Sequence, residues 1–329
     1  MKASIKKLVF LGLFLFSSIL LFQNCGELDV SQKLLNKDNQ VTDETDLRIE
    51  SAASKNVWRK KIDINFNKHS SGNYTGAMLR SDFGQFAVDT NRGITKTGSN
   101  ASPLSSSRVK IIKNGFGGTR SARFHLYKNK FGFHDSGASF EVPVPKGNRL
   151  KVSLKMRLSK NFEGKGGKII GFRGGYEGTG GRPATGENGF SARINWWRRP
   201  MMDTLVSYTY HMNATQRPPY GDAFYWNCSD EAICSNGTID IEKIRGKWAT
   251  IVFEVKVNSI GKKNGFVRAR YNGKLISDQR NLEFRRVSGL KIDKLYVNVF
   301  AGGNDSSFAP TEDMHIDMDN IRVYRWEKR

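Results

Sequence analysis

RLKVSLKMRL, residues 149–158, is the stretch that decides the fold. Apolar and polar side chains alternate strictly along it, and the apolar set consists of Leu150, Val152, Leu154, Met156 and Leu158. Successive side chains of a strand point to opposite faces, so this pattern predicts a strand with one face in a core and the other in solvent. The same two-residue period recurs in TIVFEVKV at 250–257.

Segments of similar character follow one another from Val57 to the end of the chain. They are separated by Gly, Asn and Ser turns, and Asn272-Gly273 is typical of a two-residue hairpin. No long segment has a convincing helical period. We therefore predict an all-β fold, a two-sheet antiparallel β-sandwich of jelly-roll type with a concave basic cleft, that occupies residues 57–329 as one domain.

The N-terminus has the pattern of an export signal. Lys2, Lys6 and Lys7 precede an apolar run, LVFLGLFLFSSILLF at 8–22, which is short for a membrane span. We predict a lipoprotein-type signal peptide at 1–24, lipidation of Cys25 and a polar tether at 25–56. The expected location is the cell envelope, at the outer membrane, with the lipid anchor as the only membrane contact. Ordinary cleavage nearby and an uncleaved anchor are the alternatives.

The charge balance of the chain favours an anionic partner. Lys and Arg number 53 against 31 Asp and Glu, which gives a formal net charge of +22. Such a surface attracts polyanions, and export makes an acidic polysaccharide a better candidate than nucleic acid, which we do not expect as a partner. Charge alone also fits a solvated basic surface with no specific partner. We expect a monomer.

The cysteines leave one possible internal pair. With Cys25 assigned to a lipid, Cys228 and Cys234 are predicted to form a disulfide, because an exported protein meets oxidising conditions. The loop it closes is short, so the expected stabilisation is roughly 2 kcal/mol. No Cys or His spacing suggests zinc, and we expect neither a metal nor a cofactor.

Three segments between 166 and 212 carry residues suited to chemistry. They are GGKIIGF at 166–172, FSARINW at 190–196 and YTY at 208–210. Alternation places Ser191, Arg193 and Asn195 on the face of one strand that points away from its apolar residues. On periodicity alone, such polar rows are usually solvated sheet surface, and the two tyrosines are usually packing residues.

The order and spacing of these segments resemble polysaccharide lyase family 14 and the related glucuronan lyases. In that family a Gly-Gly-Lys-Leu-Pro-Gly-Leu segment precedes Phe-Ser-x-Arg-x-x-Trp and a Tyr-x-Tyr strand. Here the proline is replaced by Ile170. The resemblance implies a β-jelly roll and an active site made of Lys168, Ser191, Arg193, Tyr208 and Tyr210.

The implied reaction is β-elimination on a uronic-acid polymer such as alginate or glucuronan. Arg193 or Lys168 would neutralise the sugar carboxylate while the proton on C5 is removed. Tyr208 or Tyr210 would act as base or acid, and neighbouring cations are expected to favour the phenolate. Ser191 would hydrogen-bond the substrate.

Other residues are candidates for substrate binding. We predict this role for Arg173, Asn195, Arg198 and His211. Lys165, Arg182 and Arg199 either line the cleft or are plain surface charge, and Trp197 and Trp226 either stack on sugar rings or pack. The alternative function is a non-catalytic carbohydrate-binding envelope lipoprotein on the same fold. A glycoside hydrolase is disfavoured because no carboxylates pair in the sequence.

Overall fold

The computed structural model describes residues 56–91, 93–94, 108–199, 202–214, 221–303 and 305–329. The predicted signal peptide, lipidated Cys25 and tether lie outside these ranges. Within them, no helix is long and apolar enough to cross a membrane. The strands, in chain order, are β1 (Asn56–Ile64), β2 (Gly72–Asn73), β3 (Val88–Asp89), β4 (Val109–Ile112), β5 (Ser121–Leu126), β6 (Ala138–Gly147), β7 (Arg149–Leu158), β8 (Gly167–Gly175), β9 (Gly189–Arg199), β10 (Met202–Tyr210), β11 (Asp222–Tyr225), β12 (Cys234–Ser235), β13 (Thr238–Ile239), β14 (Ala249–Lys256), β15 (Gly265–Tyr271), β16 (Lys274–Leu282), β17 (Ile292–Ala301) and β18 (Met314–Lys328).

Two large antiparallel sheets make up the described structure. The first has the order β16-β15-β14-β7-β18-β5-β4-β2, and β1 also pairs with β18. The second has the order β11-β10-β9-β8-β17-β6-β3. This arrangement confirms the predicted all-β sandwich of jelly-roll type. It places the three segments singled out in the sequence side by side, as β8, β9 and β10 in the second sheet.

The core lies between the two sheets and follows the alternation read from the sequence. All five apolar residues of β7 are buried, while the polar residues between them are partly exposed. On β14 the apolar set of Ile251, Phe253 and Val255 is fully buried in the same way. The Asn272-Gly273 hairpin is also confirmed: Tyr271 pairs with Lys274, and both turn residues have positive φ, 49° and 86°.

Three short α-helices accompany the sheets in the part of the chain that the structure describes: α1 (Gly76–Phe83), α2 (Gly132–Asp135) and α3 (Ile241–Ile244). No helical period is evident over α1, because only Leu79 and Phe83 reach the core together with the small Gly76. Its start is nevertheless marked by Thr75, whose hydroxyl accepts a hydrogen bond from the Met78 amide at 3.2 Å. This N-cap is a local sequence signal for the helix that does not depend on hydrophobic periodicity.

Cys228 and Cys234 are joined by a disulfide, with their Cα atoms 6.2 Å apart. The bond links β12 to the segment that follows β11, next to the small β12–β13 ribbon. It therefore ties down the loop that leads away from the edge of the second sheet.

Candidate active site

One face of β8, β9 and β10 gathers the predicted catalytic residues. Arg193 on β9 lies directly opposite Tyr208 on β10, and Ser191 lies opposite Tyr210. On the other side of β9, Lys168 of β8 lies opposite Asn195. Phe190, Ala192, Ile194 and Trp196 fill the reverse face of β9 and are fully buried in the core. The sheet register therefore brings all five residues to one surface.

Arg193 is the centre of this surface. Its side chain is only 1% exposed, and Nη1 donates a hydrogen bond to Asn298 Oδ1 on β17 at 3.0 Å. The guanidinium also lies over the rings of Tyr296 and Tyr210, at 5.5 and 5.8 Å from their centroids. Among the described residues, Nε and Nη2 have no hydrogen-bond partner. These two groups form the planar fork that binds a carboxylate with two parallel hydrogen bonds.

Lys168 has an unusual electrostatic environment. Its ammonium lies 4.5 Å from the centroid of the Phe300 ring, and no carboxylate is recorded as its partner in the described structure. Burial, with a smaller contribution from the positive charge of Arg193, lowers the pKa of Lys168 to about 7. Near neutral pH, a substantial fraction of this side chain is therefore an uncharged amine, which can accept a proton.

The two tyrosines form an aromatic cluster with Trp197. Tyr208 stacks on Trp197 at 5.6 Å with an angle of 15° between the rings, and meets Tyr210 edge-on at 5.5 Å. Burial, followed by the neighbouring Tyr210, raises the pKa of Tyr208 above its ordinary value, although Arg193 opposes the shift. The expectation that nearby cations favour a phenolate is therefore wrong for Tyr208, whose desolvation outweighs the cation, so its hydroxyl stays protonated.

Ser191 is placed differently from the prediction. It is fully buried, and its hydroxyl donates to the carbonyl of Gly178 at 2.8 Å. The same loop donates from the Gly181 amide to the Tyr210 hydroxyl at 3.1 Å. Ser191 thus holds the 176–188 loop against the site, and its hydroxyl hydrogen is not available for a substrate in this conformation.

Asn195 and Arg173 lie on the active face but differ in availability. Asn195 is buried beside Lys168, and its Oδ1 has no partner among the described residues. Arg173 forms an ion pair with Glu141, donates to the Tyr176 carbonyl at 2.8 Å and lies over the Tyr296 ring. The arrangement supports Asn195 as a group directed at a ligand. The two Nη atoms of Arg173 are occupied, one by Glu141 on β6 and the other by the Tyr176 carbonyl, while its buried Nε has no partner among the described residues.

Two residues predicted to bind substrate do not face the site. Arg198 has the strand parity of the core residue Trp196, so it points away from Arg193, and it pairs with Asp203 at 3.5 Å. His211 follows Tyr210 on the opposite parity, is 4% exposed, and lies 2.8 Å from Asp222 Oδ2. Both predictions fail because alternation along β9 and β10 turns these side chains to the other face.

The structure also assigns most of the residues for which the sequence left two roles open. Trp226 packs: it is fully buried and donates from Nε1 to Ser207 Oγ at 2.9 Å. Lys165 pairs with Glu163 at 2.9 Å, and the exposed Arg182 pairs with Glu177 at 2.9 Å. The side chain of Arg199 lies outside the described residues. Trp197 is the tryptophan that belongs to the active face.

Strand β17 contributes side chains to the site that were not predicted from the sequence. Every second residue of this strand faces the site. Tyr296 and Asn298 contact Arg193, and Phe300 contacts Lys168, from the side opposite to Tyr208 and Tyr210. Asn298 is held in turn, because its Nδ2 donates to Ser139 Oγ at 2.7 Å. The period-two pattern of KLYVNVF contained this information, since it puts the three side chains on one face.

Gly221 is a further residue of the site that was not predicted from the sequence. A Cβ at this position would lie 2.8 Å from Tyr208 Cε1 and 3.1 Å from Tyr210 Cε2. Only glycine lets the chain pass this close to both rings. A metal centre is not formed by the described residues, which contain no group of three or more His, Cys, Asp or Glu side chains placed to hold an ion.

Comparison with known proteins identifies similar chains. A family model described as polysaccharide lyase 14 matches residues 120–321. The structure of alginate lyase Aly36B is similar with a TM-score of 0.64 and 24% identity, over 80% of this chain and 96% of that one. An alginate lyase from Aplysia kurodai has a TM-score of 0.56 and 18% identity, over 80% and 98%. None of the curated proteins compared with the chain matches it significantly.

Proposed function

The chain belongs to the polysaccharide lyase 14 family and is a polysaccharide lyase, and from this premise we propose that it cleaves a uronic-acid polysaccharide, such as alginate or glucuronan, by β-elimination. The observation that carries the proposal is the grouping of Lys168, Arg193 and Tyr208 on three adjacent strands. The similar structures titled as alginate lyases, and one of them in complex with an alginate tetrasaccharide, support an acidic polysaccharide as the substrate class.

The register gives each group a place around one sugar unit. Adjacent strands are about 4.8 Å apart, so the backbones of β8 and β10 lie roughly 10 Å from each other with β9 between them. A sugar ring over Arg193 would have Lys168 on one side and Tyr208 on the other. The buried Nε and Nη2 groups of Arg193, which have no partner among the described residues, would bind its carboxylate once the substrate reaches them.

The reaction follows from the protonation states of these groups. The uncharged Lys168 amine takes the proton from C5, and Arg193 stabilises the charge that builds on the carboxylate. The electron pair forms a double bond between C4 and C5 while the bond from C4 to the bridging oxygen breaks. The protonated Tyr208 hydroxyl donates its proton to that oxygen. The products are a shortened chain and a new end that carries an unsaturated uronate.

The test is an assay on defined uronans. The protein is incubated with polymannuronate and polyglucuronate, and the ultraviolet absorbance of unsaturated ends is followed. We expect activity in the parent chain and its loss in Lys168→Ala, Tyr208→Phe and Tyr210→Phe. His211→Gln serves as a control, because His211 faces away from the site. Tight binding of these polymers without any new double bond would favour the non-catalytic carbohydrate-binding alternative.

We also propose that the chain is exported and lipid-anchored through Cys25, on the basis of the basic and apolar segments that precede this residue. The expected result is a membrane-associated protein that becomes soluble when Cys25 is replaced by Ser. Recovery of the unchanged parent in the soluble fraction, with residues 1–24 still attached, would contradict the anchor.

A further inference from the structure

A second basic surface lies on the opposite side of the molecule. It is the outward face of the first sheet, on β1, β5, β7, β14, β15 and β18, and is called here the outer basic face. Basic residues outnumber acidic ones on it: the cations are Lys60, Arg123, Arg149, Lys151, Lys155, Arg157, Lys256, Arg268, Arg270 and Arg322, and the acids are Asp63, Glu254, Asp317 and Asp319. The proposed reaction uses none of them.

Two of the four acids, Asp317 and Asp319, are completely buried beneath the cations, whereas Asp63 is exposed. Asp317 is completely buried, whereas Arg123 and Arg157, which bind it at 2.8 and 2.7 Å, have side chains 26% and 21% exposed. The buried carboxylate therefore fixes two guanidinium groups whose outer edges still reach the solvent. An anionic ligand that approaches this face meets the positive groups first.

Aromatic rings hold the cations at one end of the face. Arg149 lies 4.9 Å from the centroid of the Trp326 ring, and Lys151 lies 4.3 Å from that of Trp58. The two tryptophans are paired across β1 and β18, with ring centroids 5.2 Å apart, and are half-buried. The rings limit the freedom of the basic side chains, which lowers the entropy lost when a ligand binds.

The same combination recurs at the other end. Lys155 lies 4.1 Å from the centroid of the Phe116 ring, and Arg157 lies 4.6 Å from that of Trp248. Both rings are half-buried. From residue 149 to residue 157, β7 rises by about 27 Å, so the two groups of ring-supported cations span a length suited to several sugar units.

We propose that the outer basic face is a second, non-catalytic binding surface for an extended acidic polysaccharide chain. The choice of ligand rests on the proposed function, and two features of the face support it. The carboxylates of a uronan match the row of cations, and flat half-buried rings pack against the apolar faces of sugars. A surface of this length would hold one part of the polymer while a distant sugar unit of the same chain reacts in the active site on the second sheet.

The experiment separates polymer binding from cleavage. All variants are made in the full chain that also carries Lys168→Ala, so that the polymer stays intact. Lys151→Ala with Lys155→Ala removes two charges from the face, and Lys262→Ala with Lys263→Ala removes two from an exposed turn after β14. Trp248→Ala changes the face without changing the charge. Retardation in gels that contain polymannuronate or polyglucuronate measures affinity.

We expect about tenfold weaker binding for the Lys151/Lys155 variant, the size expected when two partly exposed ionic contacts are lost. Trp248→Ala should also bind more weakly, while the Lys262/Lys263 variant should match the parent. With Lys168 restored, the face variants should retain parental rates on short oligosaccharides, which shows that they fold, and should lose rate only on long polymer.

Equal polymer affinity in the face variants and the parent would overturn the proposal. Binding of duplex DNA or of anionic lipid vesicles to this face, without binding of either uronan, would also overturn the proposal. A parent chain that cleaves no uronan, but binds these polymers through the outer basic face, would reject the proposed reaction and support the second surface. The two proposals can therefore fail separately.

Discussion

At the scale of single residues, burial against Phe300 sets the protonation state of Lys168, and the register of β8, β9 and β10 sets which side chains face Arg193. The motif order selected Lys168, Arg193, Tyr208 and Tyr210, and the register brings them to one face. The lowered pKa of Lys168 could not be predicted from the sequence, because its cause is burial against Phe300, which lies 132 positions further along the chain. The orientations of Arg198 and His211 could have been read from alternation along β9 and β10.

The lowered pKa of Lys168 gives a testable pH dependence. If the uncharged amine removes the C5 proton, kcat/KM should rise as pH increases through about 7, where this amine loses its proton. Lys168→Arg should be inactive at every pH, because a guanidinium does not deprotonate. Lys165→Arg is the matched control and should keep the parental profile. A rate that falls as pH rises through this range would instead assign Lys168 a role as a cation.

The lowered pKa also means that burial of Lys168 lowers the free energy of unfolding. The unfolded side chain has the ordinary lysine value of 10.5, and the folded one has a pKa of about 7, so the unfolded state binds more protons between these values. The penalty is fully present below about pH 7 and shrinks as pH rises toward 10.5. Lys168→Met should therefore raise Tm more at pH 6 than at pH 9. Equal gains at both pH values would contradict the lowered pKa.

Asn298 is expected to act as a positioning residue. Asn298→Ala removes the acceptor that holds Arg193 Nη1 at 3.0 Å and one of the two donors to Ser139 Oγ, which keeps its hydrogen bond from Thr90 Oγ1. Displacement of Arg193 should lower kcat/KM on uronans by about a hundredfold. Rescue by Asn298→Gln or Asn298→Asp, which keep an acceptor, would separate positioning from folding. Asn264→Ala in an exposed turn is the control, and parental activity of Asn298→Ala would exclude the role.

At the scale of strands and helices, alternation carried most of the information. It predicted the core faces of β7 and β14 and the hairpin between β15 and β16, because each of these strands has one apolar face. It could not predict which strands become neighbours, since β8 pairs with β17 across more than a hundred residues of chain. Helix α1 escaped notice because it is short and its only clear signal is the Thr75 cap.

The two faces of β7 should respond differently to truncation. Leu154→Ala removes a buried side chain between the sheets and should lower the free energy of unfolding by about 2–5 kcal/mol. Ser153→Ala, one residue away on the outward face, should change it by no more than about 0.5 kcal/mol. Urea denaturation followed by tryptophan fluorescence measures both. Similar losses for the two variants would contradict the sandwich assignment of β7.

At the scale of the whole molecule, composition and topology explain different things. The formal net charge of +22 favours an anionic partner but does not say where it binds. Each of the two sheets presents cations on its outward side: one set surrounds Arg193, and the other forms the outer basic face. We propose these as the two places where the anionic partner binds. The predicted signal peptide, tether and domain start near residue 57, and the monomeric state, remain predictions.

The mass of the products decides between elimination and every other way of breaking the polymer. The protein is incubated with polymannuronate and with polyglucuronate, and the oligosaccharides released are weighed by mass spectrometry. Elimination consumes no water, so each new non-reducing end should make its fragment lighter by one water molecule than the hydrolysis product of the same length. Lys168→Ala should release no such fragments. Fragments with the full mass of hydrolysed uronan, or intact polymer with the parent protein, would contradict the assignment of Lys168, Arg193 and Tyr208 to β-elimination.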